Sequence, residues 1–203
     1  PKNRWNGKQR RIGLTGGITS GKSSVAHFLS QQKNIPLLDA DLIAKNVLEP
    51  NQPCTLAVLK RYGNKVAQKD STLSKALDRK ALGKIIFGDS AERLWLEKLM
   101  HPIIQKNLDV QLFAMASVPE IVLMIPLLFE TGLTFLCSEV WLIDCDPDQQ
   151  YQRLMARDGL MEDEAKERIA AQWPLEQKRP LADILIDNRG EYGAWEKQVM
   201  SLF

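Results

Sequence analysis

Gly16 to Ser23, which reads GGITSGKS, fits the pattern G-x-x-x-x-G-K-[ST] and decides the fold of the chain. Glycines let a backbone bend tightly around an anion, so that several N–H groups point inward. A helix that follows the loop presents its positive end to the same anion. The loop therefore predicts a phosphate site, and its candidate residues are Gly17, Ile18, Thr19, Ser20, Gly21, Lys22 and Ser23.

Two side chains of this loop suit ATP with Mg²⁺. Lys22 is a flexible cation that can follow the β and γ phosphates, and the Ser23 hydroxyl can bind the metal. An apolar run, residues 12–15, precedes the loop, and Val25 and Leu29 recur at helical spacing after it. The alternative is a glycine turn beside a surface lysine, which requires neither a strand before it nor a helix after it.

Further apolar runs predict the rest of a sheet, and helical patterns separate most of them. The additional strand candidates are residues 35–39, 120–126, 140–144 and 183–187. Strands that alternate with helices indicate a mainly parallel sheet covered on both faces. The sequence thus predicts an α/β fold of the P-loop NTPase type, with about five strands.

Two stretches exceed what a crossover connection needs. Residues 42–118 are almost wholly helical in pattern and are expected to form a helical substrate domain, with its long apolar stripe interrupted at Pro102. Residues 147–175 predict two short helices on either side of Asp158-Gly159, and we expect this segment to be a mobile lid. The nucleotide-binding core is then residues 10–41, 119–146 and 176–203 of a domain spanning 10–203, after a flexible tail over residues 1–9.

The composition narrows the class of protein. The formal net charge of +2 gives no electrostatic reason to expect nucleic-acid binding. No apolar run approaches the ~20 residues that a membrane span needs. The three cysteines form no CxxC pair and are expected to be small buried thiols in a reducing compartment, so we expect a cytoplasmic location.

Asp39 and Asp41 stand at the exit of the second predicted strand. A carboxylate there could hold Mg²⁺ or accept a proton from an attacking hydroxyl. Capping of the following helix explains the same two residues equally well. On the residues alone, both interpretations stay open.

Three arginines lie in the predicted lid. Arg153 and Arg157 share one helical face, and Arg168 follows on the next helix. Closure over the loop would bring guanidinium groups to the phosphates. The alternative is a solvated face, in which the arginines pair with Glu162, Asp163, Glu164 and Glu167. His101, inside the apolar stripe, is interpreted as a packed residue rather than a catalyst.

Several short motifs occur in a fixed order after the loop. They are Leu38-Asp39-Ala40-Asp41-Leu42-Ile43-Ala44, His101-Pro102, Pro126-Leu127-Leu128-Phe129-Glu130, Arg157-Asp158 and Ala182-Asp183-Ile184-Leu185-Ile186-Asp187-Asn188. In this order the chain resembles the dephospho-CoA kinase family from about Ile12 to the C-terminus. The D-A-D, H-P and P-L-L-x-E motifs make the resemblance much more specific than the loop alone.

The resemblance implies a transferase of coenzyme A biosynthesis, which phosphorylates the ribose 3′-hydroxyl of dephospho-CoA with ATP. It implies Asp41 as catalytic base, Lys22 as phosphate contact and Arg157 as lid arginine. It also implies Ser23 at the magnesium, and we assign Asp39, from its place at the strand exit, to the same metal. Asn188 falls where such kinases pass the adenine ring, and the remaining nucleotide contacts that we assign are Ser24 and Arg153.

Two departures from the family pattern concern the loop. Thr19 stands where glycine is common, so we expect negative φ there because Thr19 has a β-carbon. Ser24 stands where threonine is common.

The alternatives in function are another small-molecule kinase, such as a nucleoside monophosphate kinase, and a nucleotide-binding switch without an acceptor. The expected partner is dephospho-CoA, without nucleic acid or membrane, on a monomer or weak homo-oligomer.

Overall fold

The structure is a computed structural model that describes residues 3–68, 75–191 and 193–203. Its contacts divide the chain into two compact units. One unit is Ala40–Ala114, and the other combines Pro1–Asp39 with Met115–Phe203. None of the described helices has the length and apolar character that crossing a bilayer requires.

The larger unit is built on a five-stranded sheet in which every pairing is parallel. The strands are β1 (Arg10–Gly16), β2 (Leu37–Asp39), β3 (Glu120–Met124), β4 (Glu139–Asp144) and β5 (Ile184–Asp187), in the order β2-β3-β1-β4-β5. This confirms the predicted α/β fold. Because β1 lies at the centre of the sheet, the loop that follows it has a neighbouring strand end on each side.

Helices of this unit connect and cover the strands. They are α1 (Lys22–Lys33), α6 (Pro147–Asp158), α7 (Glu162–Ala170), α8 (Leu175–Lys178) and α9 (Trp195–Met200). A capping box between Asp146 and Gln149 begins α6, and Gly159 ends it in the left-handed conformation with φ of 63°. The predicted break at Asp158-Gly159 is therefore confirmed.

One face of the sheet carries the main core. Ile12 and Leu14 of β1 lie beside Val122 and Met124 of β3, and all four are fully or almost fully buried. Alternate residues of β4 and β5 continue this face, and α1 and α9 pack onto it. The burial of both faces of β1 explains why its sequence is a continuous apolar run rather than an alternating one.

Gly13 is a position of β1 where a side chain would be overpacked. A β-carbon there would lie 2.5 Å from the Cys137 Sγ and 3.0 Å from the Leu128 Cδ2. Cys54, Cys137 and Cys145 are all free and buried, as the sequence predicted. Burial raises the pKa of the Cys137 thiol to about 12 and that of Cys145 to about 11, and it also raises the pKa of Cys54.

The smaller unit contains the α-helices α2 (Ala40–Val47), α3 (Pro53–Tyr62), α4 (Arg79–Gly88) and α5 (Ser90–Ala114). Its bounds place Asp41 in the helical unit, whereas the predicted core extended to residue 41.

The α5 helix runs through Pro102 without ending, so the interruption predicted there is corrected. Buried side chains on both sides of the proline, Met100 and Leu108 among them, hold the helix together despite the lost backbone hydrogen bond.

His101 is exposed on α5, so its interpretation as a packed residue is wrong. The histidine precedes Pro102 within the apolar stripe by sequence, but helical rotation turns it away from the buried positions Leu96 and Met100. His27 on α1 is also exposed.

The flexible tail predicted for residues 1–9 is corrected over its described part, residues 3–9. The Trp5 N–H donates to the Cys137 carbonyl at 3.1 Å, and the Trp5 indole donates to the Gln9 carbonyl at 2.7 Å. Gln9 is only 5% exposed. The Trp5 indole offers both apolar surface and a hydrogen-bond donor, which the basic composition of the segment concealed.

Gly13→Ala should lower the free energy of unfolding by about 1–3 kcal/mol, because the added methyl group overpacks the contact with Cys137 and Leu128. Urea unfolding measures the change. Gly190→Ala is the matched control, because its β-carbon would meet only Ala194 at an ordinary 3.5 Å. Equal stability of the two variants would contradict the close packing of β1.

Candidate phosphate-binding site

The loop between β1 and α1 presents an uncapped helix end. Gly21 precedes α1 with φ of 103°, no side chain caps the helix, and the first turn contains no acidic residue. Free N–H groups and the helix dipole at this end favour a bound anion. A β-carbon at Gly21 would overlap the Asn188 amide nitrogen, which gives a second reason for glycine.

Lys22 lies over the loop rather than in solvent. Its side chain is largely buried, with 9% of the residue exposed, and its Nζ donates to the Gly17 carbonyl at 2.6 Å and to that of Gly16 at 3.2 Å. The next residues, Ser23 and Ser24, are exposed at the start of α1. The Lys22 ammonium group and the hydroxyl of the exposed Ser23 thus lie at the same helix end.

Thr19 corrects the expectation of negative φ, because its φ is 56°. Its hydroxyl lies 2.7 Å from the Ile18 carbonyl oxygen and 2.8 Å from that of Gln150, and it can donate to either. A left-handed conformation costs a residue with a β-carbon about 1–2 kcal/mol. Hydrogen bonds of the Thr19 hydroxyl help to offset that cost. A glycine at this position would have neither the cost nor the hydroxyl.

Ser20 places a buried hydroxyl inside the loop. The residue is 0% exposed, and its Oγ has no hydrogen-bond partner among the described residues. A buried hydroxyl without a partner is costly, so a ligand or a water molecule at this point would stabilise the loop. The unpartnered Ser20 hydroxyl and the uncapped helix end are both features that suit a bound phosphate group.

Asp39 and Asp41 lie on opposite sides of the boundary between the two units. Asp39 is half-buried at the carboxyl end of β2, the same sheet edge at which β1 delivers the loop. Asp41 is exposed in the first turn of α2. The two acids that the sequence grouped together therefore belong to different units of the fold.

Arg157 and Arg168 bind one acid that the sequence interpretation had not chosen. Arg157 makes two hydrogen bonds to Asp158, at 2.7 and 3.1 Å, and Arg168 donates to the same carboxylate at 2.8 Å. Arg157 is the main cause that lowers the pKa of Asp158. Glu162, one of the four expected partners, pairs instead with Lys166.

Arg153 and Asn188 meet beside the loop. Arg153 donates to the Asn188 carbonyl at 3.3 Å, and the Asn188 amide donates to the Ser20 carbonyl at 2.7 Å. Asn188 follows β5, so the sheet topology brings the end of that strand to the phosphate-binding loop. The structure therefore brings together beside Ser20 two residues, Arg153 and Asn188, that were predicted to contact the nucleotide.

Two glutamines that the sequence analysis missed hold Ile18 from both sides. The Ile18 N–H donates to the Gln172 side-chain oxygen at 2.9 Å, and the Gln150 amide donates to the Ile18 carbonyl at 2.8 Å. Gln150 is 6% exposed, and a β-carbon at Gly17 would overlap its amide. Glutamine is common on helix surfaces, so no sequence signal distinguished these two.

Glu130, after β3, anchors the segment that follows Gln172. Its Oε1 accepts from the Trp173 N–H at 3.0 Å and lies 2.6 Å from the Lys178 Nζ. Lys178 is completely buried, and the Glu130 side chain is 13% exposed. The sequence analysis used Glu130 only as part of the P-L-L-x-E motif, and an acid beyond the end of the apolar run gave no sign of this role.

Comparisons with known proteins agree with this geometry. Residues 10–193 match the family model described as dephospho-CoA kinase. A protein from Prochlorococcus marinus (strain MIT 9313) named dephospho-CoA kinase is 56% identical over 202 residues, which cover 100% of this chain and 99% of that protein.

Two solved structures have the same fold. A crystal structure from Thermus thermophilus superposes with a TM-score of 0.77 at 31% identity, covering 97% of both chains. A dephospho-CoA kinase from Campylobacter jejuni gives a TM-score of 0.63 at 24% identity, with coverage of 97% of this chain and 96% of that one.

Removal of one member of the Glu130–Lys178 pair should be strongly destabilising. Glu130→Gln and Lys178→Met should each lower the free energy of unfolding by about 3–5 kcal/mol, because each leaves a buried charge without its partner. The double variant should lose less than the two single losses combined. Urea unfolding tests the cycle, with Lys166→Met as an exposed control that changes stability by less than about 1 kcal/mol. Fully additive losses would contradict the pairing.

Proposed function

Because this chain belongs to the dephospho-CoA kinase family, we propose that it transfers the terminal phosphoryl group of ATP to the ribose 3′-hydroxyl of dephospho-CoA. The products are coenzyme A and ADP. The observation that carries the proposal is the loop itself, with its uncapped helix end, its buried Ser20 hydroxyl and Lys22 folded over it.

The loop holds the triphosphate in this proposal. Backbone N–H groups at the start of α1 bind phosphate oxygens, and the Lys22 ammonium moves from the loop carbonyls to the β and γ phosphates. Ser20 gains a hydrogen-bond partner when the site fills. Asn188 contacts the adenine and Arg153 the phosphates, because Asn188 binds the Ser20 carbonyl and Arg153 binds the Asn188 carbonyl beside the loop.

Ser23 and Asp39 are the residues that we assign to Mg²⁺. The ion, when bound, neutralises charge on the β and γ phosphates. Mg²⁺ keeps several waters and accepts few protein ligands, so one exposed hydroxyl and one carboxylate are a suitable set. The half-buried Asp39 suits this role better than that of a base, because it lies in the same unit as the loop.

Asp41 is the base in this proposal. Its carboxylate is exposed in the first turn of α2, where the helix dipole stabilises negative charge. It orients the ribose hydroxyl and accepts its proton as the oxygen attacks the γ phosphorus. The helical unit Ala40–Ala114 then supplies both the base and the substrate domain.

Residues 147–175 serve as the lid, with Arg157 and Arg168 as its cations. Both arginines now bind Asp158, so an exchange of this carboxylate for phosphate oxygens would bring positive charge to the transferring group. The rate gain comes mainly from positioning and from this electrostatic stabilisation.

A coupled ADP-release assay with ATP and Mg²⁺ tests the function. It compares dephospho-CoA with AMP, CMP, adenosine and no acceptor, and it identifies the product by mass. We expect release that depends on dephospho-CoA and yields coenzyme A. Preferential use of AMP or CMP would favour a nucleoside monophosphate kinase, and tight ATP binding without any acceptor would favour a nucleotide switch.

Asp41→Asn should lower kcat with dephospho-CoA by roughly 10²–10⁴-fold, because the amide cannot accept the proton. Binding of ATP, measured by calorimetry, should not change, since the loop is intact. Asp109→Asn is the matched control, because Asp109 is also an exposed acid of the helical unit and should leave kcat unaltered. Normal turnover in Asp41→Asn would remove Asp41 as the base.

A further inference from the structure

The helical unit contains a pocket that none of the assignments above uses. It has a volume of about 290 Å³ and lies between α2, the start of α3 and the middle of α5. Ile43 and Val47 of α2, with Cys54 of α3 and Ile103 of α5, supply its apolar surface. This volume is at the lower end of the ~300–1,000 Å³ typical of small-molecule sites, so it suits one segment of a ligand.

Four carboxamide side chains surround this apolar surface: Asn46, Gln52, Asn107 and Gln111. Asn107 donates to the Ile103 carbonyl of its own helix at 2.8 Å. The side-chain amides of the other three make no hydrogen bond within the described part of the chain. Each amide offers both a donor and an acceptor to a ligand.

No charged side chain lines the pocket, so it lacks the cation that a phosphate or carboxylate would need. The lining suits a neutral chain that alternates amide groups with aliphatic carbon. The N-terminus of α3 offers further polar groups to such a chain, because its N-cap residue Gln52 makes no side-chain capping bond. Pro53 follows Gln52.

We propose that this pocket binds the pantetheine arm of dephospho-CoA. This inference rests on the proposed function. The arm is neutral, with two secondary amides, a hydroxyl group and a pair of methyl groups, which match the carboxamides and the apolar surface. The charged diphosphate and the adenosine stay outside.

The length of the arm suits the position of the pocket on α2. Asn46 is five residues beyond Asp41, which corresponds to about 7.5 Å of rise and a rotation of about 140° around the helix. A chain that joins the two positions follows a path on the order of 10–15 Å over the helix surface. The diphosphate and the flexible arm together can span such a path, so one substrate molecule can contact both.

Leucine replacements of two α5 amides test the assignment. In Asn107→Leu with Gln111→Leu, we expect the KM for dephospho-CoA to rise at least 10-fold, while the KM for ATP stays within about 2-fold, because polar recognition is lost only in the pocket. Gln105→Leu is the matched control, since it removes an exposed amide of the same helix outside the pocket. The urea midpoints of all variants show whether the helical unit is intact.

Calorimetry with pantetheine alone separates this inference from the proposed function. Pantetheine has no ribose hydroxyl, so its binding to the wild-type chain and to Gln105→Leu does not depend on turnover. We expect the double leucine variant to lose that binding. An unchanged KM for dephospho-CoA and unchanged pantetheine binding in the double variant would overturn the assignment. A wild-type chain that binds pantetheine but does not phosphorylate dephospho-CoA would overturn the function alone.

Discussion

Ile18 is bound through both of its main-chain polar groups by side chains from residues 147–175, and the phosphate-binding loop depends on this double contact. The Gln150 side chain donates to the Ile18 carbonyl, and the Gln172 side chain accepts from the Ile18 N–H. Adjacent Thr19 reaches the Gln150 carbonyl from a left-handed conformation, which is costly without support. The loop therefore does not hold its shape by glycine alone, and any displacement of Gln150 or Gln172 changes the site that the nucleotide meets.

Glu130 extends this connection into the core. By accepting from the Trp173 N–H next to Gln172 and by pairing with the buried Lys178, it fixes the end of residues 147–175 to the turn after β3. Arg157 and Asp158, by contrast, lie exposed at the C-terminal end of α6. In this arrangement the contacts of Gln150, Gln172 and Glu130 join the loop, the turn after β3 and the end of residues 147–175.

The strands and the loop were predictable because they depend on local rules. Long apolar runs and the G-x-x-x-x-G-K-[ST] spacing identify a parallel sheet with its phosphate loop. The errors involve tertiary contacts. Thr19 has positive φ, a conformation in which its hydroxyl reaches the Gln150 carbonyl, and α5 continues through Pro102 with buried residues on both sides of the proline. The roles of Gln172 and Lys178 depend on partners more than 40 residues away, so no local pattern could reveal them.

The burial of the three cysteines has a consequence for redox chemistry. The arm of dephospho-CoA ends in a thiol, and so does that of coenzyme A, so the protein works among reactive sulfur compounds. Thiolates, not thiols, attack disulfides. Because burial raises the pKa of Cys54, which borders the pocket, the residue remains protonated at neutral pH. A disulfide that entered this pocket would therefore meet a thiol rather than a thiolate, so the formation of a mixed disulfide at Cys54 should be slow.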